Sequence, residues 1–305
     1  MVSDEDSLLE LLHELKAQDY SFTCVTPATH ERFLLKRPGG EPTLRDIFGW
    51  NIGFQSDDIA PALLALLERS NCLETSQGKL RSLVRVASLG GQLFLHSSFP
   101  TTSPDAVFFG PDTYRFARFI SERLSEVEQP RWILDMGAGS GAGGIVAAGA
   151  APGARISLVD INPAAAALAR VNARFAGVAA QIVISDALEQ GPDLILANPP
   201  YMIDASRRTY RDGGDMLGGE ISCRWAGQAL QALAPGGTML LYTGAAVVRG
   251  QAPLAQDIAR MCADADAELR IEEIDPDVFG DELDTSDYRE VERIAALGIS
   301  IRIAR

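Results

Sequence analysis

Apolar and polar positions follow two different rhythms along this chain. In residues 7–16 (SLLELLHELK) and 59–69 (IAPALLALLER) apolar side chains return every three or four positions, which predicts helices, with Ser7 and Asp58 placed to cap them. Residues 83–97 (LVRVASLGGQLFLHS) instead show two short apolar runs around Gly90 and Gly91, the pattern of a hairpin. The Ser-, Thr- and Pro-rich stretch SSFPTTSPD at 97–105 then reads as a linker. A boundary there divides the chain into a mainly helical lobe, 1–105, and a larger domain, 106–305. The lobe is either winged-helix-like or a helical extension packed on the main domain.

Past the linker the two rhythms alternate. Strands are expected at 133–136, 156–160, 182–185, 194–197 and 238–242, and helices at 142–148, 163–175, 220–233 and 254–263. The strands are short and apolar throughout, so both faces of their sheet must be covered, as in a parallel sheet between helical layers. Ligands of such sheets bind beyond the carboxyl ends of the strands. Apolar stretches at 269–274 and 294–303 predict a closing antiparallel hairpin, and the acidic segment between them (DPDVFGDELDTSDYREVE) a solvated loop.

Composition narrows the classes. With 305 residues and 47% hydrophobic content the chain can bury a substantial core. No apolar run approaches the roughly 18 residues that span a bilayer, and the opening MVSDEDSLLE is acidic where a signal peptide is basic, so a cytoplasmic protein is expected. Cys24, Cys72, Cys223 and Cys262 are widely spaced without a CxxC pair, and His13, His30 and His96 are the only histidines, so buried thiols and no metal site are expected. A net charge of −14 argues against a global grip on nucleic acid while leaving room for a local basic patch.

Candidate chemistry begins in ILDMGAGSGAGG, 133–144, where glycines lie between the first strand and its helix. Such a loop lets backbone approach a ligand and frees helix N–H groups for it. Gly137, Gly139 and Ala142 also satisfy the dinucleotide pattern, with Asp160 the acidic residue about 20 positions on. Asp135, two residues before the first glycine, shifts the balance toward S-adenosylmethionine, because its carboxylate can meet the ammonium of the methionine part. Asp160 can accept both ribose hydroxyls, and Asp186, in the SDA at 185–187, can accept from the adenine amino group. The fourth strand ends in NPPY, 198–201, a stiff corner: neither proline donates to a ladder, and each biases the residue before it toward extended geometry.

The order DxGxGxG, Asp160, Asp186, NPPY resembles the class I methyltransferases that modify planar nitrogens, and most closely the release-factor glutamine methyltransferases of the HemK family. Residues 210–220, YRDGGDMLGGE, carry the glycine-rich segment that follows the corner in that family, whereas VFFGPDTYRFARFI at 107–120 departs from the family's PRPETE-like wording. The resemblance covers about 108–245 and implies a Rossmann-like fold, α/β, with a mostly parallel seven-stranded sheet and helices on both faces. It implies S-adenosyl-L-methionine held by Thr113, Asp135, Gly137, Gly139, Gly141, Asp160, Ile161, Asp186, Ala187 and Asn198, with Asn198, Pro199, Pro200 and Tyr201 as the catalytic corner.

The corner suits its nucleophile. An amide or ring-attached amino nitrogen has a delocalised lone pair, so positioning must supply much of the rate. The Asn198 side-chain carbonyl and the Pro199 backbone carbonyl can each accept one N–H of the acceptor, and Tyr201 can stack on its plane. Arg207, Arg208 and Arg211, in DASRRTYR, form an expected mobile loop able to hold a phosphate or carboxylate. Three acceptors stay open: a protein glutamine of a release factor, an amino base of RNA or DNA, and a small molecule.

Overall fold

The computed structural model describes residues 4–37 and 39–305. The chain opens with three helices, α1 (Glu5–Ala17), α2 (Pro27–Lys36) and α3 (Pro61–Arg69), and continues through two hairpins, β1 (Leu73–Ser76) with β2 (Lys79–Ser82) and β3 (Val84–Leu89) with β4 (Gln92–Ser97). The apolar stripe of α1 buries Leu8, Leu11, Leu12 and Leu15, and the β3–β4 turn uses Gly90 and Gly91 at positive φ, as a two-residue hairpin requires.

Both expected caps are corrected. Asp4, not Ser7, caps α1, accepting from the N–H groups of Asp6 and Ser7, while the Ser7 hydroxyl donates back to Asp4 at 2.6 Å. Helix α3 starts at Pro61, whose fixed φ suits a first helical turn, behind Ala60, and Asp58 instead closes a preceding 3-10 turn by accepting the Gln55 N–H at 2.6 Å. Helix α2 and the β1–β2 hairpin escaped the periodicity because they bury so little: only His30 in α2 and only Ser82 in the hairpin.

The larger unit comprises α4 (Pro111–Leu124), β5 (Trp132–Met136), α5 (Ala142–Ala150), β6 (Arg155–Asp160), α6 (Pro163–Phe175), β7 (Ala180–Ile184), β8 (Leu194–Ala197), α7 (Glu220–Ala232), β9 (Thr238–Val247), α8 (Pro253–Asp264), β10 (Glu268–Asp275) and β11 (Arg293–Arg302). Seven strands form one sheet in the order β10-β11-β9-β8-β5-β6-β7. The pairs β8/β9, β5/β8, β5/β6 and β6/β7 are parallel, and β11 runs antiparallel between β9 and β10. Helices α4, α5 and α6 cover one face together with the first hundred residues, while α7 and α8 cover the other. Strand β9 runs five residues past its expected end at Tyr242 because β11 pairs with it along its whole length, from Thr238↔Arg302 to Val247↔Arg293.

Asn172 on α6 ties the amino-terminal region to the sheet. Fully buried, it accepts the Leu95 N–H at 2.8 Å and donates to the carbonyls of Leu95 at 3.0 Å and Ser140 at 2.9 Å, so the edge of β4 and the glycine loop share one amide. Ion pairs from Glu5 to Arg170 and from Asp6 to Arg174 reinforce this junction at the surface.

The 275–292 segment corrects the expectation of a solvated loop. Val278 and Tyr288 are buried in it, and the Tyr288 hydroxyl accepts the Ile203 N–H at 2.8 Å. The segment is a strap over the residues that follow β8, because its apolar side chains Val278, Phe279, Leu283, Tyr288 and Val291 pack on the core despite the acidic pattern around them.

Candidate active site

Strand register lines up the motif residues. Met136 at the end of β5 pairs with Ala197 at the end of β8 and with Val159 in β6, and Asp160 pairs with Ile184 at the end of β7. The next residue after each of β5 and β8 opens the glycine loop and the NPPY corner, so these meet at the point where strand order reverses. A cavity of about 360 Å³ opens there, within the range of sites that take a small organic ligand.

One half of its wall comes from β5, β6 and α4. Gly137, Gly139 and Gly141 have φ of 67°, 54° and 79°, and open space stands above Gly139. Gly137, Gly139, Asp135, Asp160, Ile161, Asp186 and Thr113 all line the cavity. Gly141 and Ala187 stand outside this wall: Gly141 turns the chain into α5, and Ala187 donates its N–H to the Ser185 hydroxyl in an exposed bend.

Asp160 accepts the N–H groups of Gly139 at 2.8 Å and Asn162 at 2.9 Å, one on each oxygen. Burial still pushes its carboxyl above the usual range. Asp135 is buried with, among the described residues, one bond, from the Gly144 N–H at 2.8 Å, and no cation beside it; burial pushes its carboxyl up to about 7, the Gly144 bond opposes the rise, and nearby Asp160 adds to it. A buried carboxylate without a counter-charge, a paired acceptor at a strand end and an exposed Ile161 at the same rim fit the ammonium, ribose and flat base of S-adenosylmethionine.

The other half is the corner and what braces it. The Asn198 side chain has no hydrogen-bond partner among the described residues and lines the cavity beside Pro199 and Pro200. The Tyr201 ring is less free than the sequence suggested: 7% exposed, it sets its edge toward Phe279 and lies over Gly244, where a Cβ would stand 2.3 Å from the ring. The chain then folds back on itself, Met202 donating to the Arg211 carbonyl at 3.0 Å and Gly213 to the Met202 carbonyl at 2.8 Å. Gly213 is required by close approach, since a Cβ there would lie 2.0 Å from the Gly218 carbonyl oxygen and 2.6 Å from the Tyr201 Cα.

The arginine loop is corrected as well. Arg208 is held bidentately by Asp204 at 2.7 and 2.8 Å, and Arg211 pairs with Glu282 of the strap, so these two guanidiniums brace the loop. Arg207 and Arg224 are the exposed cations at the cavity that form no ion pair among the described residues. Sequence reasoning missed Asp112, Trp225, Phe279 and Arg224 in this wall. Trp225 packs on Gly137, where a Cβ would be 2.6 Å from its ring, and its place on α7 gave no signal beyond helical period.

A family model, Methyltransferase small domain, matches residues 105–248. The chain is 34% identical over 154 residues to a release factor glutamine methyltransferase of Deinococcus radiodurans, a match spanning 46% of this chain and 55% of that relative. It is 32% identical over 209 residues to a release factor glutamine methyltransferase of Moorella thermoacetica, spanning 63% of this chain and 70% of the relative. The solved structure of Trm5b from Pyrococcus abyssi superposes with a TM-score of 0.52 at 17% identity over 93% of this chain and 79% of that one, a likeness of fold alone. On the sequence identity across most of the Moorella protein, and on a sheet order and switch-point cavity of the kind this fold uses, the chain belongs to the HemK-like class I S-adenosylmethionine-dependent methyltransferases.

Proposed function

We propose that this chain transfers a methyl group to the side-chain amide nitrogen of a protein glutamine, as the names of its relatives suggest. The observation that carries the reading is Asn198: a side chain with no hydrogen-bond partner among the described residues, at the end of a fully buried strand, one residue beyond the Met136↔Ala197 pairing that opens the glycine loop. S-adenosylmethionine, when bound, supplies the electrophilic methyl. Asp135 receives its ammonium and Asp160 its ribose, Asp186 stands at the adenine end, and Thr113, Ile161 and the glycine loop complete that wall.

The remaining residues act on the acceptor. The Asn198 side-chain carbonyl and the Pro199 backbone carbonyl accept its two N–H groups and so turn the nitrogen lone pair toward the methyl carbon. Prolines 199 and 200 keep those acceptors from swinging, and Tyr201 offers the rim of its ring to the flat amide. The bound cofactor would give up its methyl group with the C–S electron pair staying on sulfur, and the acceptor nitrogen would release its surplus proton to water at the open cavity mouth.

A second reading, methylation of an amino base in RNA, is favoured by Arg207 and Arg224, cations at the cavity that form no ion pair among the described residues. Both readings are tested by transfer of labelled methyl from S-adenosylmethionine into a size-fractionated extract of cells lacking the gene, followed by protease or ribonuclease. Protease-sensitive label is the expected result. Ribonuclease-sensitive label replaces the first reading by the second, and label confined to small molecules overturns both.

A further inference from the structure

Asp112, in the segment that departs from the family's usual wording, is nearly fully buried and lies between three donors. Its Oδ2 accepts the Tyr201 hydroxyl at 2.5 Å, its Oδ1 accepts the Tyr242 hydroxyl at 2.7 Å, and Arg115 approaches Oδ1 at 3.2 Å. Arg115 continues to Asp275, where the strap begins, at 2.7 Å. The carboxylate sits in the first turn of α4, where the helix N-terminus favours negative charge. The same turn carries Thr113, and Phe116 follows one turn on, both in the cofactor wall.

One carboxylate therefore holds three pieces in register: the cofactor wall through α4, the acceptor corner through Tyr201, and strand β9 through Tyr242. We infer that Asp112 is a positioning residue whose carboxylate clasps Tyr201 and Tyr242, fixing the acceptor ring at a set distance from the cofactor. The inference rests on the acceptor role proposed for the NPPY corner. The two tyrosines bond to different oxygens, so an amide in place of the carboxylate presents its NH2 to one hydroxyl, which must then turn away or accept. Removing the clasp frees the Tyr201 and Tyr242 hydroxyls while leaving the Asp135 and Asp160 carboxylates and their backbone donors in place.

The test compares wild type with Asp112→Asn, Tyr201→Phe and the double variant, using labelled methyl transfer into the extract described above across a range of S-adenosylmethionine concentrations. Asp112→Asn is expected to lower the maximal rate roughly 10- to 100-fold, the effect of a small misplacement of reacting groups, with cofactor affinity and apparent KM for the cofactor unchanged. The double variant should lose no more than the Asp112→Asn single variant, because both remove one interaction. Independently of any acceptor, ¹⁹F NMR of 3-fluorotyrosine-labelled protein should show the resonances of both Tyr201 and Tyr242 moving in Asp112→Asn, with Asp112→Glu moving them less. A wild-type rate in Asp112→Asn, a loss of cofactor affinity in step with the rate, or unmoved tyrosine resonances would each overturn the clasp. An active Asn198→Ala, or a wild type that labels nothing, would instead sink the acceptor reading and leave the NMR result to decide the clasp alone.

Discussion

The two halves of the cavity are built by different means. The cofactor half is made of strand ends and the turns that leave them: Gly137 and Gly139 after β5, Asp160 at the end of β6, Asp186 just past β7. Each contributes through backbone geometry or a short carboxylate within a few residues of a strand, so its position follows from the sheet. In the acceptor half only Asn198 and the prolines follow a strand directly. Tyr201 depends on Asp112, Tyr242, Gly244 and Phe279, drawn from α4, β9 and the strap. The site thus combines a locally encoded wall, proposed here to cradle the cofactor, with a proposed acceptor pocket assembled over long range.

Asn198→Ala is the sharpest way to separate the halves. Methyl transfer should fall on the order of 100- to 1,000-fold, as when a preorganised hydrogen-bonding group is lost, with S-adenosylmethionine affinity by calorimetry nearly unchanged. Equal loss of both would erase the division. Asp160→Ala should do the reverse: deleting a charged acceptor that takes two ribose hydroxyls costs about 2 kcal/mol or more, a cofactor Kd weakened by more than about tenfold. A Kd equal to wild type would remove Asp160 from the ribose.

The smallest effect concerns pH. The Asp135 carboxyl is raised above its unfolded value to about 7, so its contribution to stability without cofactor is complete at low pH and is lost as pH rises through 7. A bound ammonium favours the ionised form, which makes binding release a proton. Cofactor affinity should therefore weaken below pH 7, by at most about tenfold per pH unit, and Asp135→Asn should flatten that slope. An affinity independent of pH between 5 and 8 in the wild type would refute the ammonium contact.

The same contrast governs how much was legible in advance. Strand β8 and helix α6 have the bounds their apolar periods predict, and the hairpin at Gly90 and Gly91 lies where the turn residues place it. The caps of α1 and α3 were misplaced by a few residues, because Ser7 and Asp58 are capping types one turn away from where the helices begin. The strap misled more seriously. Acidic residues dominate 275–292, yet Val278, Phe279 and Tyr288 decide its position, since a few packed apolar side chains outweigh many exposed carboxylates. Arg208 and Arg211 looked available for a ligand until Asp204 and Glu282 took them, a pairing across 71 positions in the second case.

By itself the sequence determined the alternating fold, the cofactor loop and the proline corner, because each is written in residues adjacent in the chain and in local backbone rules. Only the tertiary structure decided which arginines remain free, that Asn172 joins the amino-terminal region to the glycine loop, and that Asp112 grips Tyr201. Apart from the Asp204–Arg208 pair, four positions apart, these depend on groups 32 to 89 positions apart brought together by sheet order and burial, and no local pattern records such a meeting.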